Sequence, residues 1–319
     1  MNVETMSEHK HVAWYKAFAT KVKSEISHNK GLIGRNKKAF SYGMLLCGKS
    51  FSTESIAMTT ENKYVAKLYA KLIFQQIPMQ TSVTTREYNG NFQQTTYSVS
   101  VDDEEDRKTI LRFFGHDEEH LKDYNRDLLE DIEHRHAFLA GAFLSASNIS
   151  DPQKDYHLEF VVSDSCALQA LMEVLYSLEL NFKHMVRRGQ QVLYCKDSKS
   201  IEELLTMVGA TGSMMDVVNV KIYKDMRNKI NRVTNCETSN IEKTVSAATT
   251  QAADIRYLKK MGVFQNLEVV LKETGEARLR HPEMSLRELG ELLGVSRSGI
   301  NHRLQKISQI AKQVREEQE

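Results

Sequence analysis

Apolar residues recur along this chain with a helical period in some windows and a strand-like alternation in others, and the two kinds of window follow a repeating order. Trp14, Phe18, Val22 and Ile26 stand four apart within 12–28, which places them on one face of a helix. A second helix is expected over 36–48 and a short strand-like run at 52–59. Residues 62–77 form a helical pattern that Pro78 stops. A hairpin follows, TSVTTREY and NFQQTTYSVSV about Asn89-Gly90, a dipeptide suited to the positive φ of a two-residue turn. A helix at 103–114 ends at Gly115. The order then returns: a helix at 133–147, a strand at 156–163, a helix at 164–179 with Asp164 as N-cap, a hairpin turning near Gly189, and a helix from 199 to Gly209.

The glycines of the two halves correspond. Gly43 pairs with Gly141, Gly90 with Gly189 and Gly115 with Gly209, at offsets of 98, 99 and 94 residues. An internal duplication of an α-β-α-β-β-α unit accounts for this. Each copy opens with a helix carrying small residues every fourth position, Ala39, Gly43 and Cys47 in one and Ala137, Gly141 and Ser145 in the other. Residues four apart share a helix face, so the two helices can meet backbone to backbone on a pseudo-twofold axis.

Beyond about residue 210 the texture changes. Residues 217–232 are helical and basic, with Lys221, Lys224, Arg227, Lys229 and Arg232 against the single acid Asp225. The polar stretch VTNCETSN breaks the apolar period and is expected to be a linker. Helices follow over 240–261 and 263–274, the second ending before Gly275, and the last segment begins at His281-Pro282.

That segment contains SLRELGELLGVSRSGINHRLQKI, residues 285–307, which fits a helix-turn-helix. Ser285 and Glu288 have capping-box spacing. Leu286, Leu289 and Leu293 face inward, Gly290 is the small residue where the helices cross, Gly294 sits at the turn and Val295 fills the core beneath it. Ser296 caps the second helix, whose buried stripe is Ile300, Leu304 and Ile307. The face left over carries Arg297, Ser298, Asn301, His302 and Gln305, with Arg303 and Lys306 at its flanks and no acid among them. Such side chains reach base edges and phosphates in a major groove. The geometry predicts that Arg297, Ser298, Asn301 and His302 read bases while Arg303 and Lys306 hold phosphates, with Ser296 and Gln305 completing the DNA-binding set.

Composition narrows the partners. The chain has 319 residues, 41% hydrophobic and 27% charged, which is a globular composition. Lys plus Arg number 43 and Asp plus Glu 42, so the net charge of +1 excludes a basic coat over the whole chain and leaves only local patches for nucleic acid. No apolar run is long enough to span a membrane, and the N-terminus lacks the apolar core of a signal peptide. Cys47, Cys166, Cys195 and Cys236 show no CxxC spacing, so neither a zinc site nor a disulfide scaffold is expected and a reducing cytoplasm is the simplest compartment.

Three stretches, HPEMSLRELGELLGVSRSGINHRLQKI, MRNKINRVTNCETSNIEKT and RHAFLAGAFLSASNISDP, resemble the WhiA family of Gram-positive sporulation and cell-division regulators. The resemblance implies a degenerate LAGLIDADG homing-endonuclease-like domain joined to a helix-turn-helix similar to sigma-factor region four. It also implies a place in the control of sporulation or cell-division genes and in chromosome segregation. Residues 139–147 follow the second LAGLIDADG motif and residues 41–49 the first. In active homing nucleases each motif helix ends in a metal-holding acid; the matching positions are Gly48 and Ala146, neither of which can ligate a cation.

Other motifs carry less. Residues 43–50 match GxxxxGK[ST], yet no hydrophobic strand precedes them and no helix opens after them, so an NTPase is disfavoured. His116 and His120 stand four apart in what is expected to be a solvated acidic loop, and His134-Arg135-His136 is expected at the surface. The resulting expectation is an α+β protein. A duplicated LAGLIDADG-like domain covers 1–225, with repeats at about 36–115 and 133–210, a linker covers 226–240, and an all-α DNA-binding domain covers 241–319 with its helix-turn-helix at about 276–309. The expected function is non-catalytic binding of double-stranded DNA in the cytoplasm, at the nucleoid, without cofactor or metal, with a sigma factor or another regulator as a protein partner. An enzyme, either a residual nuclease or a P-loop NTPase, and an adaptor of the transcription machinery are the alternatives.

Overall fold

The computed structural model describes residues 18–77, 83–89, 95–116 and 123–318. They divide into two compact units, one ending at Lys224 and the other beginning at Asp225. Among the described residues no helix is long and apolar enough to cross a membrane.

In the first unit, α1 is described over 18–28, with Val22 and Ile26 fully buried; Trp14 and Pro78 lie outside the described residues. After α2 (Lys30–Arg35) the first repeat runs α3 (Lys37–Leu46), β1 (Ser50–Phe51), β2 (Ile56–Thr60), α4 (Lys63–Gln76), β3 (Val83–Asn89), β4 (Thr95–Val101) and α5 (Glu104–Phe113). The second runs α6 (Ile132–Ala146), β5 (Ser147–Ile149), β6 (Leu158–Val162), α7 (Ser165–Ser177), β7 (Lys183–Arg187), β8 (Gln190–Cys195) and α8 (Ser198–Met207). Each repeat builds one antiparallel four-stranded sheet, ordered β1-β2-β4-β3 and β5-β6-β8-β7. The duplication is therefore topological, and each copy holds one short strand more than expected: β1, and β5, whose start falls inside the expected helix 133–147.

The repeats meet along α3 and α6. Every residue from Ala39 to Leu46 and from Ala137 to Leu144 is buried, so these helices are enclosed on all sides. A Cβ on Gly43 would overlap the Phe138 carbonyl oxygen and touch the Ala142 nitrogen; one on Gly141 would overlap the Phe40 carbonyl oxygen and touch the Met44 nitrogen. The contacts exchange under the same 98-residue shift that relates the two glycines, since 43, 40 and 44 become 141, 138 and 142. The P-loop reading fails here, because Gly43 lies in the middle of a buried helix and not in a loop after a strand.

Three further expectations change. Pairing of Asn89 with Thr95 places the partnered ends six residues apart, so a two-residue Asn89-Gly90 turn does not close this hairpin, and Gly90 itself lies outside the described residues. The second hairpin does close in two residues, Arg188 and Gly189, both with positive φ (53° and 77°), as its twist requires. His116 is buried against the seam, 2.8 Å from the Tyr42 hydroxyl, which also accepts from the Asn125 amide at 2.9 Å. It thus belongs to the core and not to a solvated loop; residues 117–120 lie outside the described residues. His136 is half-buried, and burial lowers its pKa.

The segment VTNCETSN is helical, within α9 (Thr211–Lys260). No Gly or Pro interrupts residues 213–261. Just beyond VTNCETSN, threonine hydroxyls fold back onto the helix, Thr244 donating to Asn240 O at 2.8 Å and Thr249 to Val245 O at 2.9 Å. Polarity broke the apolar period there without breaking the helix.

The second unit continues with a 3-10 turn (Val263–Asn266), α10 (Val269–Arg280), α11 (Leu286–Leu293) and α12 (Arg297–Glu316). Gly275 lies inside α10 instead of ending it, because the Phe264 ring would stand 2.9 Å from a Cβ there. The core is Ile255, Leu258, Phe264, Leu271, Leu289 and Ile300, extended along α12 by Leu304, Ile307 and Ala311.

The seam generates a stability prediction. Gly43→Ala and Gly141→Ala each force two backbones apart and should each destabilise the first unit by about 3 kcal/mol or more. Gly34→Ala, with nothing within 4 Å of its Cβ, should be close to neutral. Urea denaturation followed by circular dichroism separates the two outcomes; equal midpoints for all three variants would refute the backbone-contact account.

Candidate nucleic-acid interface

The second helix of the 285–307 motif is presented by its neighbours through short-range contacts. Ser285 and Glu288 form the expected capping box: the Ser285 N–H donates to Glu288 Oε2 at 2.7 Å and the Glu288 N–H to Ser285 Oγ at 3.3 Å. The Ser285 backbone N–H, and then its side chain, hold the Glu288 carboxyl below the usual carboxylate range. Gly294 ends α11 in the left-handed region at φ 66°, where glycine alone is unstrained. A Cβ on Gly290 would overlap the Val295 carbonyl oxygen and approach the Arg297 nitrogen at 3.6 Å, so this glycine lets the first turn of α12 settle directly on α11. Ser296 caps α12 by accepting from the Gly299 N–H at 3.2 Å.

With Ile300, Leu304 and Ile307 at 0–1% exposure, the orientation of α12 is fixed. Arg297, Ser298, His302 and Gln305 are exposed, and Asn301 is half-buried beside them. Ser296 and Ser298 share a hydrogen bond at 3.1 Å at the N-terminal end of the same face. From Arg297 to Arg315 the helix contains no acid. These six residues form one surface with the chemistry of groove readers: two hydroxyls, an amide pair, an imidazole and a guanidinium.

Arg303 and Lys306 sit differently. Arg303 is half-buried and directs Nη1 toward Thr274 Oγ1 on α10, at 3.4 Å. Lys306 is paired with Glu268 at the start of α10, at 2.7 Å, and this ion pair draws the Glu268 carboxyl downward. Both members are substantially exposed, so the pair is weak and its ammonium can be transferred to another anion.

The chain pattern gave no sign of Arg278. It is 1% exposed and donates Nη1 to the Met284 carbonyl at 2.5 Å, tying the end of α10 to the segment that enters α11, while its Nε has no partner. Burial lowers its pKa, opposed by Glu283. An arginine near a helix end is ordinarily a surface residue, and only the packing distinguishes this one. Asp254, 6% exposed, likewise binds Arg315 at 2.7 Å and fastens the end of α12 to α9.

In the first unit, Gly48 follows α3 and Ala146 ends α6. A Cβ on Gly48 would lie 2.9 Å from the Ala57 carbonyl oxygen. Among the described residues no group of three His, Cys, Asp or Glu could hold a metal ion. Cys47, Cys166 and Cys195 are buried, and burial raises all three thiols, Cys166 to about 12, so none is an activated nucleophile.

The capping geometry yields a pH prediction. Because the folded-state pKa of Glu288 is lowered, its contribution is complete above the unfolded value of about 4.3 and is lost as pH falls through the lowered folded value. Glu288→Gln should therefore flatten the acid limb of the thermal-melting profile of the second unit. Ser285→Ala should destabilise the unit by about 1 kcal/mol at neutral pH. Parallel acid limbs in the parent and Glu288→Gln would refute this role of the carboxylate.

Comparison with known proteins places both units. Two family models match, the WhiA LAGLIDADG-like domain over residues 135–227 and the WhiA C-terminal HTH domain over residues 230–311. A protein of Clostridium tetani named "Probable cell division protein WhiA" is 33% identical over 315 residues, covering 94% of this chain and 99% of the relative. One of the same name from Clostridium botulinum is 34% identical over 281 residues, covering 86% and 88%. Among solved structures, full-length WhiA from Thermotoga maritima shares the fold with a TM-score of 0.55 at 20% identity, over 92% of this chain and 97% of that one.

Proposed function

The chain belongs to the WhiA family, and we propose that it binds double-stranded DNA by placing the N-terminal half of α12 in the major groove. The observation that carries this is the acid-free exposed face of Ser296, Arg297, Ser298, Asn301, His302 and Gln305 on a helix whose opposite stripe is locked into the core. In this reading these residues meet base edges. Lys306 exchanges Glu268 for a phosphate on binding, and Arg303 contributes at the flank once it leaves Thr274.

The protein acts without catalysis. The residues at the two motif positions that would carry metal-holding acids, Gly48 and Ala146, offer no ligand atom. The role we assign is regulation of cell-division and sporulation genes, with effects on chromosome segregation and a sigma factor or another regulator as protein partner; this follows the family resemblance. The domains are assigned as 1–225 for the LAGLIDADG-like part, 226–240 for a connector and 241–319 for the DNA-binding part, a division close to the boundary between Lys224 and Asp225. Residues 225–238 of α9 are exposed on every face, and a helix without tertiary packing is marginal in water, so this is where it should open to proteases.

Three measurements test the reading. On a duplex selected by the full chain from a random pool, Arg297→Ala and Asn301→Ala should each cost about 1–3 kcal/mol and relax sequence preference. If the folded double variant binds as tightly and selectively as the parent, α12 is not the reader. Glu268→Gln, which releases Lys306, should strengthen binding to all duplexes, whereas Lys306→Ala should weaken it uniformly and lower the salt slope by about one. Limited proteolysis should first cut within 226–240, giving fragments of about 230 and 80 residues.

A further inference from the structure

The duplication supplies an internal control for the surface of the first unit. Helix α4 and helix α7 occupy equivalent places in their repeats, each between the second and third strands of its sheet. Their caps correspond: Asn62 accepts from the Tyr64 and Val65 amides, Asp164 from the Cys166 and Ala167 amides. Counted from these caps, the buried positions correspond as well, Val65 with Ala167, Tyr69 with Leu171, Leu72 with Val174 and Ile73 with Leu175.

The exposed positions do not correspond. On α4, Lys63, Lys67 and Lys71 stand four apart on one exposed face. The equivalent residues of α7 are Ser165, Gln169 and Glu173. The fold is thus built equally well without the lysines, so the three cations in register belong to the surface of this repeat and not to the shared plan. No acid occurs from residue 62 to residue 86, and none of the three lysines has a carboxylate partner among the described residues. The face continues at its C-terminal end into Lys37, which donates to Gln75 at 2.8 Å one turn beyond Lys71. Tyr64, 65% exposed, and Phe74, 53% exposed, border it.

We infer that the exposed face of α4 lies along the phosphate backbone of duplex DNA and gives the first unit a sequence-independent DNA contact of its own. The inference rests on the DNA-binding reading of α12 above, to which it adds a second point of attachment. Four residues of helix advance about 6 Å. Consecutive phosphates of one strand rise about 3.4 Å each and, because the strand also winds round the axis, stand about 7 Å apart, so three lysines at this spacing match three consecutive phosphates. Lysine is a flexible point charge suited to phosphate contact, and it is depleted in the buried centres of protein interfaces, which argues against a protein as the occupant. Base readout is not what this face is built for: its three lysines are point charges, and the Gln75 amide oxygen one turn on is already engaged by Lys37.

The test uses the full chain and two duplexes, a fluorescein-labelled duplex of random sequence and one selected by the full chain from a random pool. Anisotropy titrations are run across a salt series. Lys63→Gln/Lys67→Gln/Lys71→Gln should lower the slope of log K against log salt by about 2–3 and weaken binding to the random duplex about tenfold or more at low salt. Lys63→Arg/Lys67→Arg/Lys71→Arg should keep both values. Preference for the selected duplex should survive in the glutamine variant and be lost in Arg297→Ala/Asn301→Ala, which should retain the lysine-dependent part of the slope. A glutamine variant with parental melting temperature and an unchanged slope overturns the inference and leaves α12 as the reader. The same result with loss of retention on a polyglutamate matrix overturns it in favour of an acidic protein partner. If Arg297→Ala/Asn301→Ala keeps its preference while the glutamine variant loses slope, the α12 reading falls and the α4 contact stands. A parent that binds neither duplex overturns both.

Discussion

The contact of the Gly43 backbone with Phe138, and of Gly141 with Phe40, is the constraint on which the first unit is arranged. Two helices this close admit hydrogen but not carbon on the facing Cα atoms. That condition excludes every residue except glycine at the two crossing points and favours small ones at Ala39, Cys47, Ala137 and Ser145 around them. Once the helices are joined, their remaining faces are apolar on all sides, and each must be covered by its own repeat. The two sheets and the helices α4 and α7 supply that cover. Two chemically different outer surfaces can then grow on one internal plan, because only the inner stripe of each covering helix is specified by the seam.

The second unit solves a smaller problem in a related way. Gly290 permits the start of α12 to rest on α11, Gly294 reverses the chain in a left-handed residue, and two serine caps satisfy the amides freed at the helix starts. Apart from Ser296, which caps α12 at one end of its exposed face, none of these residues lies on that face, yet together they decide which side of α12 remains outside. Arg278 adds a constraint of another kind. A buried guanidinium that spends its hydrogen bond on the Met284 carbonyl fixes the path of the chain between α10 and α11. The orientation of α12 therefore depends on packing several residues away from its exposed face.

How much of this was legible in the sequence depended on the range of the interactions. Cap spacing, turn glycines and four-residue apolar periods are local, and they located the capping box at Ser285, the turn at Gly294 and the seam glycines, and placed the second hairpin's turn near Gly189, one residue late, since Arg188-Gly189 and not Gly189-Gln190 closes it. The duplicated α+β plan was legible because the same local signals occur twice. Errors arose where a local signal has two physical outcomes. The polar stretch VTNCETSN lacks an apolar period, but it also lacks Gly and Pro, so nothing in it stops the helix that runs through from either side. Gly275 resembles a helix stop and instead makes room for Phe264. Asn89-Gly90 suits a tight turn, while the strand pairing demands a longer one. The partners of Arg303, Lys306, Arg278 and His116 were not legible at all, since Thr274, Glu268, Met284 and Tyr42 reach them only through the tertiary fold.

The two positions corresponding to the nuclease acids differ in what surrounds them. Ala146 already carries a Cβ at the end of α6, so a longer side chain there begins from an existing carbon. Gly48 has no such allowance: any side chain would first have to displace the carbonyl of Ala57 in the neighbouring strand. The two positions are thus unequal in the room they leave. At Ala146 a longer side chain would extend an existing carbon; at Gly48 it would first require the neighbouring strand to give way. An acid introduced at the end of α6 alone would therefore stand without a counterpart after α3, and this packing does not admit a symmetric pair of carboxylates.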